Sequence, residues 1–143
     1  MPRIDFYSLK EDSRGDRFLL TCRLAERIHG QRLRAFIRVP DPQQARHIDR
    51  LLWTYKQHSF IPHGLASETD REWTPILIGS DGDLGDEHQV LVNLGMEVPA
   101  FFTRFDRLLD LVDLDPAVKQ AGRARFRHYR DQGYALEHHQ IRL

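Results

Sequence analysis

A single cysteine, Cys22, is all the thiol this chain carries. No intramolecular disulfide can form from it, and one thiol cannot found a cysteine-based zinc site. A leading apolar signal is missing, and no run approaches the roughly 20 apolar residues that span a bilayer. A soluble protein of the reducing cytoplasm with no membrane role is therefore expected. Charge of neither sign prevails: 21 Lys and Arg face 21 Asp and Glu, for a formal net charge of zero. Any electrostatic function must come from uneven placement rather than from the total. Phosphate-binding glycines are absent too. After Leu9 the chain reads KEDSRGDRF, without the glycine triplet that lets backbone approach a pyrophosphate, and no GxxxxGK(S/T) loop occurs. Ser8, Ser59, Ser67 and Ser80 lie outside any GxSxG turn, and the eight histidines are scattered, with no HExxH helix. No catalytic constellation, metal site or cofactor is expected.

What is present is the composition of a globular protein, 41% hydrophobic and 29% charged over 143 residues. That length suits one domain, residues 1–143, with its own core. Residues 4–9 (IDFYSL) read as a first strand, and Phe18, Leu19, Cys22, Leu24, Ala25 and Ile28 recur at helical spacing before Gly30. Residues 33–39 read as a second strand. Asp41 then caps a helix with Pro42 at its first position, running to about Tyr55. Residues 59–68, broken by Pro62 and Gly64, read as a loop. Strands follow at 76–78, 89–94 and 108–112, with an acidic turn at 79–86 and one or two helical turns near Pro99. A last helix runs from Asp115-Pro116 to about Gln132, and the residues from Leu136 form a short strand or an ordered tail. The succession predicts a compact α/β domain whose central, mostly parallel sheet is flanked by helices.

Two features rise above this background. Asp81, Asp83 and Asp86 lack the register of a calcium loop and read as a solvated turn, and Cys22 reads as the filler of a helix face. The last helix, by contrast, carries Lys119, Arg123, Arg125, Arg127 and Arg130 with no acid among them. Lys119, Arg123, Arg127 and Arg130 follow i,i+4 and i,i+3 steps onto one face, and Phe126 and Tyr129 add aromatic area. Such a surface suits an acidic peptide or a nucleic acid; it also suits a solvated helix whose aromatic residues pack on the sheet. Arg123 can clamp a carboxylate or a phosphate through parallel hydrogen bonds. The second feature is the cluster Trp53, Phe60, Ile61, Pro62 and Leu65, an apolar group in a broken segment that suits burial by a partner.

The FYSL strand, LLWTYKQHSFIPHGL, VLVNL followed by PAFFTRFDRLLDLVD, and VKQAGRARFRHYRDQGY occur in an order and spacing that resemble the chi subunit family of bacterial DNA polymerase III. The resemblance implies a fold related to nucleotide-binding folds but without a phosphate loop, and an accessory, non-catalytic role in the clamp-loader assembly. It also implies two protein partners, the psi subunit and the acidic C-terminal tail of single-stranded DNA-binding protein, and through the latter an indirect association with single-stranded DNA. Trp53, Phe60, Ile61, Pro62 and Leu65 resemble the psi-facing region. Val112, Lys119, Arg123, Phe126, Arg127 and Arg130 resemble the tail-binding region. There Val112 and Phe126 supply an apolar pocket, Arg123 meets the terminal carboxylate, and the other cations attract upstream acids. Phe126 stands where the family motif has Tyr and Arg127 where it has Lys, changes that remove a hydroxyl and alter donor geometry. Two other functions remain open at this stage, direct binding of single-stranded nucleic acid and a small α/β enzyme.

Overall fold

A computed structural model describes residues 1–55 and 60–143. Each of the three long helices starts at an aspartate whose carboxylate accepts backbone N–H bonds that the first turn cannot satisfy internally. Asp16 accepts from Phe18 and Leu19 to open α1 (Arg17–Gly30), Asp41 from Gln44 to open α2 (Pro42–Thr54), and Asp115 from Ala117 to open α3 (Pro116–Asp131). Pro42 and Pro116 sit at first-turn positions that need no N–H. Gly133, with φ of 88°, lets the chain turn out of α3.

The strands are β1 (Arg3–Leu9), β2 (Ala35–Arg38), β3 (His63–Leu65), β4 (Ile76–Gly79), β5 (Val90–Asn93), β6 (Arg107–Val112) and β7 (Leu136–Ile141). They form one seven-stranded sheet in the order β3-β4-β2-β5-β6-β1-β7. Every pairing among them is parallel. Alternate residues pack on opposite faces. Tyr7, Leu9, Ile37, Ile78, Val92 and Leu111 meet Leu20, Leu24 and Ile28 of α1 and Ile48 and Leu52 of α2. Ile4, Phe6, Phe36, Leu77 and Leu91 form a second core with Phe102, Phe105 and Tyr129 of α3 on the other side. Cys22 is fully buried in the first core, and burial, with the nearby Asp16 charge, pushes its thiol up to about 12, which removes it as a nucleophile.

Residues 60–68 are not purely a loop. His63–Leu65 adds a parallel edge strand to β4, with His63 opposite Ile76. Three residues with Gly64 at their centre show no periodicity, so nothing in the sequence marked them as a strand. Ser59 lies outside the described residues. The acidic turn is structural: Asp83 accepts from the N–H and hydroxyl of Ser80, and Asp81 pairs with Arg38 at 2.6 Å. No helix among the described residues is long and apolar enough to cross a membrane.

Asp5, fully buried in β1, meets Arg107 of β6 at 2.9 Å, His139 of β7 at 2.9 Å and Arg3 at 3.2 Å, so one carboxylate ties three adjacent strands together. Asp5, Glu137 and His139 cluster closely enough to suggest metal ligands, but the two guanidinium groups already neutralise the carboxylate. Burial pushes the Asp5 carboxyl up, and the bonds from His139, Arg107 and Arg3 outweigh it and hold the group below its ordinary range. A depressed folded value stabilises the fold above the unfolded carboxyl value of about 3.9 and loses that contribution as pH falls through the folded value. Urea unfolding of wild type and Asp5→Asn should therefore show a stability gap at pH 7 that narrows below about pH 4. A gap constant from pH 7 to pH 3 would contradict it.

Candidate partner-binding groove

The connection leaving β1 passes through α1 on one face of the sheet towards β2, whereas the connection leaving β6 passes through α3 on the opposite face to β7. Adjacent strands whose connections diverge in this way leave a crevice at their carboxyl ends, the place where open α/β sheets hold ligands. A groove of about 830 Å³ lies there. Its floor is Phe6 and Ser8 of β1 and Val112 of β6, and one wall is α3, which presents Lys119, Gly122, Arg123 and Phe126. The opposite wall is Lys10 and Glu11 beyond β1 with His138 and Gln140 of β7.

Gly122 sets how closely that helix approaches. A Cβ there would lie 2.5 Å from Cγ2 of Val112, so glycine lets α3 sit directly on β6 despite a helix-propensity cost of about 1 kcal/mol. Phe126 packs edge-on against Phe6, ring centroids 5.2 Å apart, and stays half-buried with one side towards the groove.

Four of the six residues expected at this site, Val112, Lys119, Arg123 and Phe126, line the groove together. Arg127 and Arg130 do not line it; both are exposed, and Arg130 lies 3.5 Å from Asp131. Lys119 and Arg123 make no ion pair among the described residues. Asp113, which also lines the groove, accepts from the backbone N–H and guanidinium of Arg17 and from the N–H of Asp115, so its charge is already matched.

Two residues of the basic segment are not surface groups. Arg125 is only 2% exposed, and its guanidinium donates to both oxygens of the fully buried Asp110, to the Met96 carbonyl at 2.7 Å and towards that of Leu111. Tyr129 is fully buried and donates to Asp110 at 2.9 Å. Burial pushes the Asp110 carboxyl above the ordinary range, against the pull of Arg125, Tyr129 and Asn93, and burial beside that carboxylate drives the Tyr129 phenol up. The pair fastens α3 to β6. Arg125 lies two residues past Arg123, off the i,i+4 stripe, and Asp110 interrupts the apolar LLDLV strand; those two irregularities were the available signal. The opposite wall went unread because it joins residues near 10 to residues near 138, which only the sheet order brings together.

The apolar cluster sits at the other edge of the sheet, around the end of α2 and β3. Trp53 and Phe60 are 58% and 65% exposed with ring centroids 5.6 Å apart, and Trp53 meets His63 edge-on at 4.9 Å. Pro62 and Leu65 are half-buried. Ile61 is a core residue, 2% exposed, so it supports this surface from beneath rather than presenting itself.

Sheet order and crevice define a doubly wound α/β fold whose switch point holds an open, cationic and partly apolar groove in place of a phosphate loop. A solved structure described as the crystal structure of T4 UvsW has the same fold, with a TM-score of 0.70 at 11% identity over 98% of this chain; the chain spans 41% of that one. The family model for the DNA polymerase III chi subunit, HolC, matches residues 1–137, and the chain belongs to that family. It is 38% identical to the DNA polymerase III subunit chi of Pseudomonas aeruginosa, over 99% of this chain and 98% of that one. The Escherichia coli subunit chi is 30% identical, over 95% and 96%. The chain is thus a non-catalytic accessory subunit of the DNA polymerase III complex, acting in DNA replication.

Proposed function

We propose that this subunit, acting as one domain in the cytoplasm, bridges the psi subunit to the acidic C-terminal tail of single-stranded DNA-binding protein. The observation that carries the tail half is the groove: an apolar floor between Phe126 and Val112 beside Lys119 and Arg123, which make no ion pair among the described residues. A terminal apolar side chain fits the floor, Arg123 takes the carboxylate, and the upstream acids meet Lys119. Arg127 and Arg130, outside the groove, steer the approach of an acidic segment at longer range. The exposed Trp53 and Phe60 rings support the psi half. β3 and β7 are opposite edges of the sheet, roughly 30 Å apart at the usual strand spacing, so both partners can be held at once and the tether raises their effective concentration.

The test is a pair of titrations. Trp53→Ala should weaken psi binding by about 2 kcal/mol, roughly thirtyfold, because truncating a buried interface tryptophan has effects of that size. Tail-peptide affinity should stay unchanged. Loss of both partners in that variant would argue against separate surfaces. Wild-type binding to bare single-stranded DNA, falling steeply with salt while the tail peptide fails to bind, would favour direct nucleic-acid recognition instead.

A further inference from the structure

The groove has a wall that no expected contact uses. Lys10 follows β1 directly, and its backbone N–H donates to the Ile141 carbonyl at 2.9 Å, which fixes the start of the β1–α1 loop against the end of β7. The same loop is held by Ser13, whose hydroxyl accepts from the Leu143 N–H at 2.8 Å, and by Asp12, which pairs with Arg142 at 3.0 Å. The backbone from which Lys10 projects is therefore fixed beside the groove.

The Lys10 side chain lines the groove, half-buried, and no acidic partner occupies it among the described residues. Strand register locates it. Ser8 lies beside both Val112 and Gln140, so Lys10 stands past that row at the carboxyl end of the sheet. Helix α3 begins just after β6 and runs back over the sheet, which puts Lys119, near its start, at the same end and Phe126 further in. Lys10 and Lys119 thus flank the polar mouth of the groove from opposite walls, with Arg123 between that mouth and the apolar floor. Asp113 and Asp12 are already matched by arginines, leaving Glu11 as the acid beside three cations.

We propose that Lys10 is a specificity-determining residue of the groove, the second jaw of a two-lysine clamp that admits acidic residues upstream of a bound C-terminus. The bound segment enters between Lys10 and Lys119 and ends on Phe126, rather than continuing along Arg127 and Arg130. This rests on the reading of the groove as a receptor for an acidic C-terminal tail.

The probe is a synthetic peptide of four aspartates ending in phenylalanine with a free carboxylate, titrated calorimetrically at low salt beside a control in which the aspartates are asparagines. Lys10→Ala should lose about fivefold in affinity for the acidic peptide and Lys10→Glu about thirtyfold. Neither should change affinity for the asparagine control. Arg130→Ala should stay within about twofold, because Arg130 lies outside the groove beside Asp131 and is exposed. If Lys10→Glu binds the acidic peptide like wild type while Arg123→Ala does not, the clamp is wrong and the tail reading stands. Equal losses for both peptides would make Lys10 a structural residue and also overturn the clamp. If wild type binds neither peptide, the tail reading falls and the clamp with it.

Discussion

Replacing Arg125 by alanine is expected to lower the unfolding free energy by about 3–5 kcal/mol, the range for breaking a buried ion pair by removing one partner. The guanidinium neutralises a carboxylate with no exposure and satisfies the Met96 carbonyl. Its removal strands Asp110 beneath α3 with only Tyr129 and Asn93 to hydrogen-bond it. Asp110→Ala should cost a similar amount, and the double variant less than the sum, because each single change leaves an uncompensated charge that the pair removes. Urea denaturation at neutral pH reads all three. A loss below about 1 kcal/mol for Arg125→Ala would mean that the pair does not anchor the helix.

Arg123→Ala, two residues away, should do the reverse. An exposed arginine with no partner contributes little to folding, so stability should stay within about 0.5 kcal/mol of wild type. Affinity for an acidic peptide with a free C-terminus should fall by about 2–3 kcal/mol, roughly 30- to 150-fold, because the contact proposed for Arg123 is a charge-assisted pair with a carboxylate beside an apolar floor. Amidating that peptide should impose a comparable loss on wild type and almost none on the variant. Equal sensitivity of both proteins to amidation would remove Arg123 from the carboxylate contact.

These opposite outcomes for neighbouring arginines show how far the sequence could be read. The starts of α2 and α3 were legible because Asp41 and Asp115 cap and a proline follows each, which is local chemistry; the Asp16 cap of α1 lay inside a polar turn with no proline to mark it. The strands were legible except β3, whose three residues carry no repeat, and β7, whose polar LEHHQI left a strand and an ordered tail both open. The stripe Lys119, Arg123, Arg127 and Arg130 was visible from periodicity; the groove gathers its first two members with Phe126 and Val112, which the family resemblance had placed beside them, and leaves Arg127 and Arg130 outside. What periodicity could not supply was depth. Arg125 reads as one more surface cation, and Tyr129 stays open between surface and sheet, until Asp110, fifteen and nineteen positions earlier, is placed beneath them. Lys10 and His138 depend on a longer-range fact, that β7 pairs with β1. Ile61 shows the same limit from the other side, an apolar residue in an exposed-looking cluster that turns inward.

The position of β1 also governs when the groove can exist. Its neighbours are β6 and β7, more than a hundred residues later in the chain, so β1 has no strand partner until they are made. At typical elongation rates of about 5–20 residues per second, that separation corresponds to a wait of roughly 5–20 seconds. Residues 107–141 supply both of its strand neighbours and most of the groove lining, so the groove is incomplete without them. The tail contact proposed above therefore depends on residues at both ends of the chain, and a variant that loosened β7 would weaken it without touching Arg123 or Phe126.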